Sequence, residues 1–139
     1  MKTARVKWIE NFKFMGEAPS GKSIMLDAPV DSGGDGSAVT PGELTIVSLG
    51  GCTGIDVVGI LKKMRVDFDS FEVVVNAVSA DEHPKVWVKL EVKYIISGKN
   101  IDESKVKKAI DLTTTKYCSV SAMLSKTAEM TFDYEIINK

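Results

Sequence analysis

The sequence predicts an α+β fold with antiparallel sheet. Three patterns carry that expectation: alternating strand-like stretches near the start, middle and end, one long apolar helix opened by a capping signal, and a second helical stretch after Asp102. At 139 residues the chain reads as one domain, 1–139, large enough for a core of its own. Hydrophobic residues make up 44% and charged residues 27%, the balance of a globular rather than a disordered chain. The net charge is −1, the charges are interspersed, and Arg5 and Arg65 are the only arginines. That pattern points away from nucleic acid and from an anionic membrane surface. The opening "MKTARVKWIENF" has charge but lacks the apolar core of a secretion signal, so a cytoplasmic location is expected.

Taken in order, "ARVKWIE", "FKFMGE" and "SIMLDA" read as short strands, with "APSG" as a turn before the third. "DSGGDGSAVT" (31–40) reads as a flexible linker; its glycines match neither a P-loop nor a dinucleotide spacing. Thr40 can cap a helix, Pro41 suits the first helical position, and Glu43 completes a capping box. In the helix that follows, Leu44, Val47, Leu49, Ile55, Val58 and Leu61 cover most faces until "KKMR". Such a helix is predicted to be surrounded by protein. Ser48, Asp56 and several glycines argue against a membrane span.

From Phe71 to Ser97 the period is two, and "EHPK" divides the stretch into an antiparallel hairpin with His83 as a solvated tip residue. Asp102 caps a helix over "ESKVKKAIDL". The β-branched "TTT" at 113–115 predicts a break, and "CSVSAMLSK" a fresh helix. The closing "AEMTFDYEII" alternates as a strand with Met130, Phe132, Tyr134 and Ile136 on one face.

Cys52 and Cys118 are the candidates for chemistry. A structural disulfide is disfavoured in a reducing compartment. Zinc would call for more Cys or His, and the single histidine is at the hairpin tip, so no metal site is predicted. Two inert thiols or a redox pair remain. Cys118 stands at a helix start, where free backbone N–H groups favour thiolate. Cys52 lies about three turns into its helix beside Gly50, Gly51 and Gly54. Each glycine costs roughly 1 kcal/mol there relative to alanine, which is tolerated where another backbone or a substrate must come close. Asp56, four residues on, shares a face with Cys52 and would raise the thiol pKa unless a basic group faces it.

"PGELTIVSLGGCTGIDVVGILKK" and "KYCSVSAML", separated by one hairpin, resemble the two cysteine motifs of the OsmC/Ohr superfamily. The likeness is closest to the YhfA-like branch, which "ARVKWIENFKFMGEAPSG" also resembles, so it runs over essentially the whole chain. The resemblance implies an intertwined homodimer with antiparallel sheets around two long buried helices and the active site at the dimer interface. It implies reduction of hydroperoxides, organic ones especially, without a bound cofactor. Cys52 would be oxidised to a sulfenic acid, Cys118 would resolve it as a disulfide, and an external low-molecular-weight or lipoyl-type dithiol would restore both. Cys52, Cys118 and Glu43 are the candidate catalytic residues. Two departures stand out. The family's glutamate directly after the helix-opening proline is Gly42 here, with Glu43 one position later, and "NFKFMGEAPSGK" lacks the family's hairpin arginine. Two other readings remain: a dimeric protein binding an apolar ligand or thiol adduct in the same pocket, and a scaffold whose cysteines only pack.

Overall fold

A computed structural model describes residues 1–139, which group into two compact units, 1–45 and 46–139. In the first, β1 (Arg5–Glu10), β2 (Lys13–Glu17) and β3 (Ser23–Leu26) form an antiparallel sheet in that order. Asn11 takes the left-handed conformation that the tight β1–β2 turn needs, and its carbonyl accepts from the Trp8 indole N–H at 2.7 Å.

Residues 31–40 are not the flexible linker that their composition suggests. The Asp27 carboxylate accepts from the Ser37 hydroxyl (2.7 Å), the Ser37 N–H (3.0 Å) and the Ala28 N–H (2.7 Å), and Leu26 bridges Val39 in parallel. Gly34 lies so close to Ala28 that a Cβ would stand 2.0 Å from its carbonyl oxygen. Glycine here answers a close backbone approach. The helix start that follows is as expected: the Thr40 hydroxyl accepts from the Glu43 N–H, and the Glu43 carboxylate accepts from the Thr40 N–H.

Helix α1 spans Pro41–Lys63. In the second unit its residues Leu49, Thr53, Val57 and Leu61, four apart and fully buried, form one stripe. The stripe joins a core with Leu90, Val92, Tyr94 and Ile96 of β5 (Trp87–Gly98) and with Val106 and Ala109 of α2 (Glu103–Leu112). By length and composition α1 could cross a membrane; within this unit the stripe is core. The helix is not enclosed on all sides, however. Val47 and Ile55, predicted to face protein, are 59% and 74% exposed. The chain supplies one long helix where the resemblance implies two.

β4 (Ser70–Ser79) and β5 form the expected antiparallel hairpin, with His83 in the connection between them. Asp102 caps α2 through the Ser104 N–H. The α-helix ends at Leu112, just before the threonines; these wind into a π-helical turn, Thr113–Tyr117, and the extended Cys118 separates it from the expected fresh helix, the six-residue α3 (Ser119–Leu124). β6 (Glu129–Asn138) places Met130, Phe132, Tyr134 and Ile136 on its half-buried face as predicted. Its direction corrects the all-antiparallel expectation: β6 pairs with β5 in parallel, in the order β4-β5-β6. The helical crossover between them carries the chain back along the sheet, which a parallel neighbour requires.

Candidate active site

Cys52 sits in the middle of α1, half-buried, with Asp56 one turn on along the same face. Cys118 comes from the end of the π turn. Its N–H donates to the Thr113 carbonyl at 2.9 Å, its side chain caps α3 by accepting from the Ser121 N–H at 3.3 Å, and it is 4% exposed. The Cys52 and Cys118 sulfurs and an Asp56 carboxylate oxygen lie within 4.8 Å of one another.

The electrostatics differ from those read off the sequence. A helix start was expected to favour the Cys118 thiolate, but burial pushes this thiol up to about 11. The Ser121 N–H pulls the other way, whereas the Cys52 thiol and the Asp56 charge add to the rise. One backbone donor on a six-residue helix is too little to offset desolvation. Asp56 has no basic partner, since none of the chain's ion pairs includes it. Beneath the thiols the Thr53 hydroxyl and the buried Tyr94 phenol are hydrogen-bonded. Burial raises the Tyr94 phenol to about 12, and the Cys118 and Asp56 charges push in the same direction. The site is therefore apolar and acidic, with no lysine or arginine paired into it.

The glycines beside Cys52 divide by role. A Cβ at Gly54 would stand 3.2 Å from the Val73 side chain, and one at Gly50 3.5 Å from Val75, so these two let β4 pack against the helix. Gly51 faces open space. Together with Gly59 it lines a groove of about 810 Å³ between α1 and β4, whose lining includes neither cysteine. Of the residues singled out from the sequence, the structure brings Cys52 and Cys118 together and adds Asp56. Glu43, nine residues before Cys52, is engaged in the capping box. Tyr94 was not recognisable as a site residue, because nothing in an alternating strand marks which inward side chain will meet Thr53, the residue after Cys52 and 41 positions earlier.

Known proteins resemble this chain over nearly its whole length. The profile of the OsmC-like protein family matches residues 34–133. Protein YhfA of Escherichia coli (strain K12) is 38% identical over 134 residues, 96% of this chain and 97% of YhfA. A hypothetical protein from Aquifex aeolicus VF5 superposes with a TM-score of 0.86 at 27% identity, covering 100% of this chain and 98% of that one. At 13% identity, where the likeness concerns the fold alone, an organic hydroperoxide resistance protein OsmC from Legionella pneumophila, described as a predicted redox protein, superposes with a TM-score of 0.71 over 97% and 96% of the two chains. Profile, sequence and fold converge, and the chain belongs to the OsmC-like protein family.

Proposed function

We propose that the protein reduces hydroperoxides, organic ones in particular, through a Cys52–Cys118 dithiol–disulfide cycle. The observation that carries this reading is the meeting of two thiols from distant parts of the chain within 4.8 Å. Closing a disulfide from this arrangement calls for side-chain rotations that bring the sulfurs to about 2 Å. Membership of a family that includes organic hydroperoxide resistance proteins supports it.

Cys52, the thiol more open to solvent, acts as the thiolate nucleophile, and Cys118 beside it is held protonated by burial. The thiolate attacks the outer oxygen of ROOH. The O–O bond breaks, RO⁻ takes a proton from solvent water and leaves as ROH, and Cys52 becomes a sulfenic acid. The Cys118 sulfur then attacks the Cys52 sulfur, and the sulfenic oxygen departs as water with the Cys118 proton. An external dithiol reduces the disulfide by exchange and is itself oxidised to a cyclic disulfide. Glu43 acts at one remove, by fixing the start of the helix that carries Cys52. A homodimer belongs to this reading, with the exposed side of α1 covered by a second copy.

The test is consumption of cumene hydroperoxide with dihydrolipoamide as reductant. Multiple turnovers that vanish in Cys52→Ser support the reading. A rate no higher than that of free dithiol overturns it in favour of apolar-ligand binding.

A further inference from the structure

We propose that the reduced Cys52–Asp56–Cys118 cluster is a binding site for a thiophilic divalent metal ion, zinc by ligand preference, held by both sulfurs and one carboxylate oxygen. Counting cysteine and histidine in the sequence gave two usable ligands; the fold supplies the third by stacking Asp56 one helical turn from Cys52 and bringing Cys118 against both. Two sulfurs bound to a tetrahedral zinc at ~2.3 Å stand ~3.8 Å apart. The three ligand atoms, all within 4.8 Å of one another, need only to close slightly around an ion.

Charge and softness favour the same occupant. Fully ionised, the cluster would carry three negative charges in a half-buried, apolar setting with no lysine or arginine paired to Asp56. Such a cluster either stays protonated or recruits a cation. A dication that bonds to sulfur matches both the charge and the ligand set, whereas calcium or magnesium would call for oxygen ligands. The ligands are also supported from behind. The Cys118 sulfur accepts from the Ser121 N–H, and the Cys118 backbone is tied to Thr113. Binding displaces the two thiol protons, forms two S–metal bonds and one O–metal bond, and leaves a fourth position for water. A disulfide cannot hold the ion in this way, so oxidation of the pair and metal occupancy exclude one another.

This inference stands without the peroxide chemistry, and its test reads no turnover. Reduced protein is titrated with Co²⁺ and followed by the thiolate-to-cobalt charge-transfer absorption, then with Zn²⁺, which should displace the cobalt. One ion per chain is expected. The charge-transfer intensity should fall by about half in Cys52→Ser and in Cys118→Ser, and Asp56→Asn should weaken affinity at least about tenfold. Far-UV circular dichroism of the metal-free variants establishes that they are folded. Should a serine variant unfold, the wild-type protein decides by whether one equivalent of Zn²⁺ slows alkylation of both thiols by iodoacetamide. No charge-transfer band at one equivalent, undiminished affinity in Asp56→Asn, or thiols alkylated equally fast with Zn²⁺ would overturn the proposal.

Discussion

The sulfurs of Cys52 and Cys118, 66 positions apart in sequence, lie within 4.8 Å of one another, Cys118 buried and Cys52 half-exposed. This pairing sets an order of events. In the proposed cycle a peroxide reaches Cys52, the half-exposed partner, first, and Cys118 follows. With one equivalent of peroxide, Cys118→Ser should accumulate a sulfenic acid at residue 52, trapped by dimedone and located by peptide mapping. Cys52→Ser should show no comparably fast oxidation, and the parent protein should lose two hydrogens and give a Cys52–Cys118 cross-linked peptide. The reverse pattern in the two serine variants would make Cys118 the nucleophile.

Asp27 gives the protein an acid-sensitive clasp. The Ser37 hydroxyl, followed by the Ser37 N–H, lowers its carboxyl from 3.8 to about 2. Because the folded pKa is depressed, the unfolded chain binds the proton first. The stabilisation is fully present above about pH 4 and is lost as the pH falls toward 2. Thermal melts between pH 5 and pH 2 should show the parent losing stability across this window, and Asp27→Asn, weaker at neutral pH, losing less. Parallel pH profiles for the two proteins would remove Asp27 from the account.

Much of this architecture was legible because its signals are local. The Thr40–Glu43 box and the Asp102 cap need only residues within one turn, and the β4–β5 hairpin needs only period two and a turn. The misreadings concern relations that no local pattern holds. Alternation in β6 gave the correct inward face but not the strand's direction, which the crossover through α2 and α3 decides. The glycines of 31–40 signalled flexibility because the carboxylate that pins them, Asp27, lies upstream of the loop. The cysteine pair was found by resemblance, and its chemistry was misjudged for Cys118. A helix start is visible in sequence, whereas the burial that outweighs it is not. Threonine propensity marks the right place for α2 to end, and the extended Cys118 completes the break, but the π turn over 113–117 between them has no local signal.

That π turn contains a correctable defect. The Thr113 hydroxyl is completely buried and has no hydrogen-bond partner. Valine has nearly the same shape without the polar group. Thr113→Val should therefore stabilise the fold by about 1 kcal/mol, the rough cost of an unpaired buried hydroxyl. Urea unfolding with an unchanged m-value and a higher midpoint is the expected result. A lower midpoint would mean that the hydroxyl has a role in the folded protein.

The last prediction concerns the uncovered side of α1. Leu49, Thr53, Val57 and Leu61 use one stripe of the helix for the core, while Val47 and Ile55 remain mostly exposed beside the 810 Å³ groove. Large aliphatic side chains left in water on a long helix, next to an apolar groove against β4, are a surface for association. The occupant expected is a second copy of the chain, because a helix of this kind can pack against its own symmetry mate and bury the same residues twice. Light scattering should give twice the chain mass at micromolar concentration, and the interface should reach about 2,000 Å². Ile55→Lys puts a charge in the centre of that contact and should shift the mass toward a monomer, exposing apolar surface that binds a hydrophobic dye. Cys52 is three residues before Ile55, so dissociation should also speed its alkylation. A parent protein that is already monomeric would leave the exposed face of α1 without this explanation and end the dimer reading.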